Sequence, residues 1–137
     1  MLSNVFYPPE DRYELLMEFE ILGEPGSKGN SRQIVTNQNT GRPMVIKSRK
    51  SLEYERIFNM QVNGSMALGL GSPEERLAIW VLVYYRSHRP DVSIELIKDL
   101  MEKAGIISND RYIKAHFIFG EIDKNNPRSL IRIYKIQ

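Results

Sequence analysis

The chain has 137 residues, 42% of them hydrophobic, the length of one ordinary domain with enough apolar material for a single core. It has no cysteine, which excludes disulfides, thiolate zinc sites and cysteine nucleophiles, and its two histidines lie far apart, so any metal falls to carboxylates, which favour Mg2+ or Mn2+ over zinc. The net charge of +2 and pI near 8.9 are too weakly basic to name a nucleic-acid partner, and the longest apolar run, Leu77 to Tyr85, is far short of the roughly 20 residues a membrane span needs.

Residues 1–12 read as an irregular leader. Pro8, Pro9, Glu10 and Asp11 stand where a signal peptide has its basic start and apolar stretch, so a soluble cytoplasmic protein is expected. Residues 13–137 read as a single domain. Alternation of Leu15, Met17, Phe19 and Ile21 with polar neighbours predicts a strand near 14–23. Gly23, Pro25, Gly26 and Gly29 then open a donor-rich loop to Arg32, followed by a short hairpin of Gln33–Thr36 and Met44–Lys47 around Asn37–Gly41. Leu52, Ile57, Met60 and Met66 recur at helical spacing and predict a helix from about 50 to 68, ended by Gly69, Gly71, Ser72 and Pro73.

The unbroken run Leu77–Tyr85 predicts a central strand buried on both faces. After His88-Arg89-Pro90 a helix is predicted from Asp91 to Ala104, with Val92, Leu96, Ile97, Leu100 and Met101 on one face, Asp91, Glu95, Lys98 and Glu102 on the other, and Gly105 as its stop. Two more strands are expected near Ile113–Ile122 and Leu130–Ile136, separated by a polar turn through 123–127. The order, strand, hairpin, helix, strand, helix, strand, strand, describes an α/β fold bordering on α+β, with a mixed sheet and two principal helices.

Two carboxylates draw attention, Asp91 after the central strand and Asp110 after the helix, with Glu95 one helical turn beyond Asp91. Strand ends and helix termini gather loops, so the two aspartates are expected to meet. Carboxylates so placed would hold the magnesium that phosphodiester hydrolysis requires, and Lys98 on the same face would offset transition-state charge. The structural alternative is a helix N-terminal acid, solvated Glu–Lys pairs and a turn aspartate. Lys28, Arg32, Arg42, Lys47, Arg49 and Lys50 crowd the first third with few acids among them. Of these, Lys28, Arg32, Lys47, Arg49 and Lys50 suit phosphate contacts, the alternative being an ordinary exposed loop. Arg89 and Arg111 would orient the scissile phosphate or pair with the neighbouring aspartates. His88 and His116 are read as structural, His116 as a half-buried strand residue with a hydrogen-bond partner. Trp80, Tyr84 and Phe117 are read as core or dimer contacts. The glycines of 23–29 lack the Gly-Lys-Ser/Thr ending of a nucleotide-binding loop.

Five segments, in order, carry a resemblance: Gly-Glu-Pro-Gly-Ser-Lys-Gly-Asn-Ser-Arg at 23–32, Ile46-Lys47-Ser48, Arg89-Pro90-Asp91, the run Ala104 to Ile113, and Asp123-Lys124-Asn125-Asn126-Pro127-Arg128. From about residue 17 onward the chain resembles the RusA-type Holliday-junction resolvases. The resemblance implies a homodimer that binds four-way DNA junctions through basic loops and nicks them with Mg2+, with Mn2+ as a substitute, in DNA recombination and repair. The departure is specific. The family carries Asp-x-Asp-Asn, a lysine and a later Asp-Asp pair, whereas this chain has Asp91-Val92-Ser93-Ile94 and Asn109-Asp110. If Asp91 matches the first aspartate, Ser93 replaces the second. If the helix is anchored on Ala104-Gly105, Asp91 matches the second, Arg89 replaces the first and Glu95 takes the lysine position. Either way one carboxylate is missing. Glu95 then supplies it, projecting beside Asp91 at helical spacing, or the protein binds branched DNA with little cutting. Asp99, rotated about 80° from Asp91, is the poorer substitute.

Overall fold

The computed structural model describes residues 5–26, 32–88 and 92–137. Its centre is β4 (Leu77–Tyr85), buried at every position as its unbroken apolar sequence requires. With β1 (Tyr13–Leu22), β5 (Ile113–Ile122) and β6 (Arg128–Ile136) it forms a four-stranded sheet in the order β1-β6-β4-β5. Strand β6 runs antiparallel to both neighbours, while β4 and β5 are parallel. The expected hairpin, β2 (Arg32–Thr36) and β3 (Pro43–Lys47), forms a separate two-stranded ribbon.

Both helices cover one face of the sheet. Helix α1 (Arg49–Gln61) is started by Ser48, whose hydroxyl accepts from the Ser51 amide, and buries Tyr54 and Phe58 in a cluster with Ile21 and Ile131. It stops seven residues before the expected end at Leu68, because Val62 is extended and the Asn63 side chain caps a separate 3-10 turn, Gly64–Met66. Helix α2 (Glu95–Lys103) buries Ile97, Leu100 and Met101 against the same face, each contributing about 1.5–3 kcal/mol.

The expected start of α2 at Asp91 is corrected to Glu95. Residues 92–94 are not helical, and their β-branched side chains go to packing instead. Ile94 is buried without a side-chain cap, and Val92 rests on Gly120, where any Cβ would lie 2.7 Å from the Val92 Cγ2.

The opposite face carries Ala78, Trp80, Leu82, Tyr84 and Tyr134, flanked by Phe117 and Phe119. Part of the irregular N-terminal segment lies on it. The Trp80 Nε1 donates to the Phe6 carbonyl at 2.7 Å, and the Tyr7 ring stacks on Trp80 at 5.1 Å. Among the described residues no helix is long and apolar enough to cross a membrane.

Candidate functional site

Lys98 departs from the solvent-facing position that helical periodicity gives it. Its side chain is only 14% exposed and lies down towards β5, with Nζ 3.3 Å from His116 Nε2 and 4.0 Å from Glu95 Oε1. The long apolar stem makes this burial inexpensive while the ammonium keeps polar partners. An ammonium only donates, so His116 Nε2 accepts and the neutral ring carries its proton on Nδ1. Desolvation of the ring and the Lys98 cation hold the His116 pKa below its ordinary value of 6.5, against a smaller opposing effect of Glu95. His116 lies in β5 but is exposed rather than half-buried.

Asp110 opens a 3-10 turn, Asp110–Tyr112, capped by Asn109, whose side-chain oxygen accepts from the Arg111 amide at 2.9 Å. The Asp110 amide donates to Glu102 Oε1 at 2.9 Å, which ties the turn to α2 and leaves Asp110 exposed. A second tie runs to the segment before β4. The Ser108 amide donates to the Leu70 carbonyl at 2.8 Å, and the Ser108 hydroxyl to the Gly71 carbonyl at 2.7 Å.

These contacts set the spacing of the acids. Asp91 and Arg89 lie outside the described residues, as does Lys28. Val92, which follows Asp91 in sequence, packs on Gly120 near the end of β5, whereas Asp110 precedes Ile113, its first residue. Seven strand residues, about 23 Å, separate those two positions. A parallel strand pair joined by a helix has its two connections at opposite ends. Glu95 and Glu102 are themselves two turns, about 10 Å, apart along α2. Because 92–94 are not helical, helical spacing does not set Glu95 beside Asp91. Among the described residues no three His, Asp or Glu side chains gather as a metal-ligand set. The described acids of one chain therefore do not by themselves fit a magnesium centre.

The cations are more concentrated. Arg49 and Lys50 are exposed in the first turn of α1, which contains no acid. Helix N-termini favour negative charge, so two cations there oppose the helix dipole unless an anion sits with them. Both line a shallow hollow with Glu24, Gly26, Glu53 and Arg86. Arg32 and Lys47 are backbone partners in the register of the β2–β3 ribbon, which leads into α1. Arg111 lies over the ring of its neighbour Tyr112 at 5.3 Å. Helices α1 and α2 are linked on their shared layer by Lys103 and Glu55 at 3.5 Å.

Sequence reasoning missed His116 as the partner of Lys98, Glu102 as the anchor of Asp110, and Arg86 beside Arg49 and Lys50. No short-range signal marks these pairs, since each joins residues from different elements. No family model matches the chain, and no curated protein matches it.

Proposed function

We propose that the protein is a structure-selective, metal-dependent endonuclease for branched DNA, similar in kind and topology to the RusA-type resolvases and acting as a homodimer in the cytoplasm. The observation that carries this reading is the joint placement of two charge centres on the helical layer. The exposed Arg49 and Lys50 mark the acid-free start of α1, and α2, bridged to α1, carries exposed Glu95 and leads to exposed Asp110. The ordered sequence segments that resemble the resolvases support the same reading.

In this account Arg49 and Lys50, with Lys28, Arg32 and Lys47, follow phosphates without reading bases. The backbone that carries Asp110 is held through Glu102, Asn109 and Ser108, and its carboxylate is exposed. Asp91 and Glu95 are the other proposed metal ligands. Were these carboxylates to hold magnesium, the ion would supply Lewis acidity and lower the pKa of a bound water. Lys98 places one cation beside Glu95, with His116 as its hydrogen-bond partner.

The spread of acids along α2 favours a second reading, a branched-DNA-binding relative that does not cut. Asp110→Asn separates the two. The nuclease reading expects junction binding within about twofold of wild type and cutting reduced by about a hundredfold or more, the scale on which transition-state charge stabilisation is lost. Equal junction binding by both proteins, with no metal-dependent cutting by either, would leave the binding reading in its place.

A further inference from the structure

The β2–β3 ribbon stands apart from the four-stranded sheet, and among its described side chains none is buried. Ile34 and Val45 are Cα partners across it, so they share one face, and they are 73% and 60% exposed. The turn fixes this pair by setting the register. Asn37 Oδ1 accepts from the Asn39 and Thr40 amides at 2.8 and 3.2 Å, and the Asn37 amide donates to the Arg42 carbonyl at 2.8 Å. A two-stranded ribbon is marginally stable alone in water, so an aliphatic pair exposed on it calls for a partner that covers it.

Charge identifies the class of that partner. From Pro25 to Leu52 the chain has six cations, Lys28, Arg32, Arg42, Lys47, Arg49 and Lys50, and no Asp or Glu, although the whole chain carries only +2. Two copies of this segment would repel each other. A membrane surface would suit the charge, but the segment has no aromatic residue to seat at an interface. A phosphate backbone suits the charge equally, and duplex DNA also offers a recess of the right width. Paired strands lie about 4.8 Å apart, and with its side chains such a ribbon enters a major groove about 12 Å wide but not a minor groove about 6 Å wide. The apolar group that bases present in the major groove is the thymine 5-methyl.

We propose that the β2–β3 ribbon lies in the major groove of a DNA arm, with Ile34 and Val45 packed against thymine methyl groups. The cations of the segment hold the ribbon to the phosphates. The aliphatic pair adds a preference for A·T pairs that phosphate contacts do not supply. The groove contact rests on the branched-DNA reading but not on cutting.

The thymine methyl can be removed without altering the protein. Fluorescence anisotropy compares binding to a four-way junction with binding to the same junction made with deoxyuridine in place of thymidine. Wild type is expected to bind the uracil junction about fourfold more weakly, or worse, the worth of one buried methyl. The double variant Ile34→Ser, Val45→Ser is expected to treat the two junctions alike and to bind the thymine junction at least about fourfold more weakly than wild type. It loses no charge, so its salt dependence should match that of wild type. Should the variant fail to fold, the wild-type comparison alone decides. Equal wild-type binding of the two junctions overturns the groove contact and leaves the branched-DNA reading in place, whereas binding to neither junction removes both. Discrimination kept by the double variant also overturns the contact. So does unchanged DNA binding by the variant with lost binding to phosphatidylserine vesicles, which assigns the ribbon to a membrane. A variant that binds DNA as wild type does but sediments as a smaller species assigns the ribbon to a second copy and overturns it likewise.

Discussion

Lys98 and His116 show how a tertiary contact changes the meaning of single residues. Eighteen positions separate them, and periodicity alone gives Lys98 to solvent and His116 to the interior of a strand. The structure lays the lysine down on β5 and exposes the imidazole that receives it. Replacing Lys98 by Met is expected to move the His116 pKa upward, towards its ordinary value, since the cation that disfavours imidazolium is removed. Proton NMR titration of the His116 ring reads this directly, and an unchanged midpoint would show that the two groups do not couple. The consequence for stability follows in sign. The folded pKa is lowered, so the unfolded chain takes up the proton first as pH falls. The contribution of neutral His116 is present above pH 6.5 and is lost as pH falls through 6.5 towards the lower folded value. In His116→Gln that part of the acid destabilisation is absent.

At the level of elements, position is set by a few close approaches. Gly71 has φ +100°, and a Cβ there would lie 3.0 Å from Leu77 Cδ1 and 3.1 Å from Tyr112 Cβ. Its carbonyl receives the Ser108 hydroxyl, so the same residue also holds the connection that carries Asp110. Gly71→Ala combines a left-handed backbone with overpacking and is expected to cost about 2–4 kcal/mol. A urea titration measures that loss, and cutting should fall further than stability accounts for because Asp110 shifts. Stability within about 0.5 kcal/mol of wild type would show that the neighbourhood yields freely. The start of α2 escaped the sequence for a related reason. Pro90 and Asp91 have the composition of a helix start, but Val92 and Ile94 are committed to Gly120 and the core. Composition records the local preference and not the packing that overrides it.

For the whole molecule, most of the fold is legible because its strands carry unambiguous patterns. The continuous apolar run of β4 places that strand at its observed limits, and the strand expected near Ile113–Ile122 is observed as β5. The site is less legible. Asp91 and Asp110 flank one helix, which suggests a meeting point. Only the parallel pairing of β4 and β5, a long-range fact, shows that the two connections lie at opposite ends. The N-terminal segment also gains its role only in three dimensions. Tyr7 stacks on Trp80, the single tryptophan, and Arg132 lies over both rings at 4.9 and 5.4 Å. Tyr7→Ala is expected to cost about 1–2 kcal/mol and to shift Trp80 emission to longer wavelength as water reaches the indole. Unchanged emission would mean that the segment does not cover this face in solution.

The central claim concerns DNA. Its most direct test is cleavage of a synthetic four-way junction beside linear duplex of the same sequence, by the wild-type protein, with Mg2+, with Mn2+ and with EDTA. The account predicts nicks in the junction but not in the duplex, supported by either metal and abolished by EDTA. Absence of cutting under every condition, or equal cutting of junction and duplex, would contradict it.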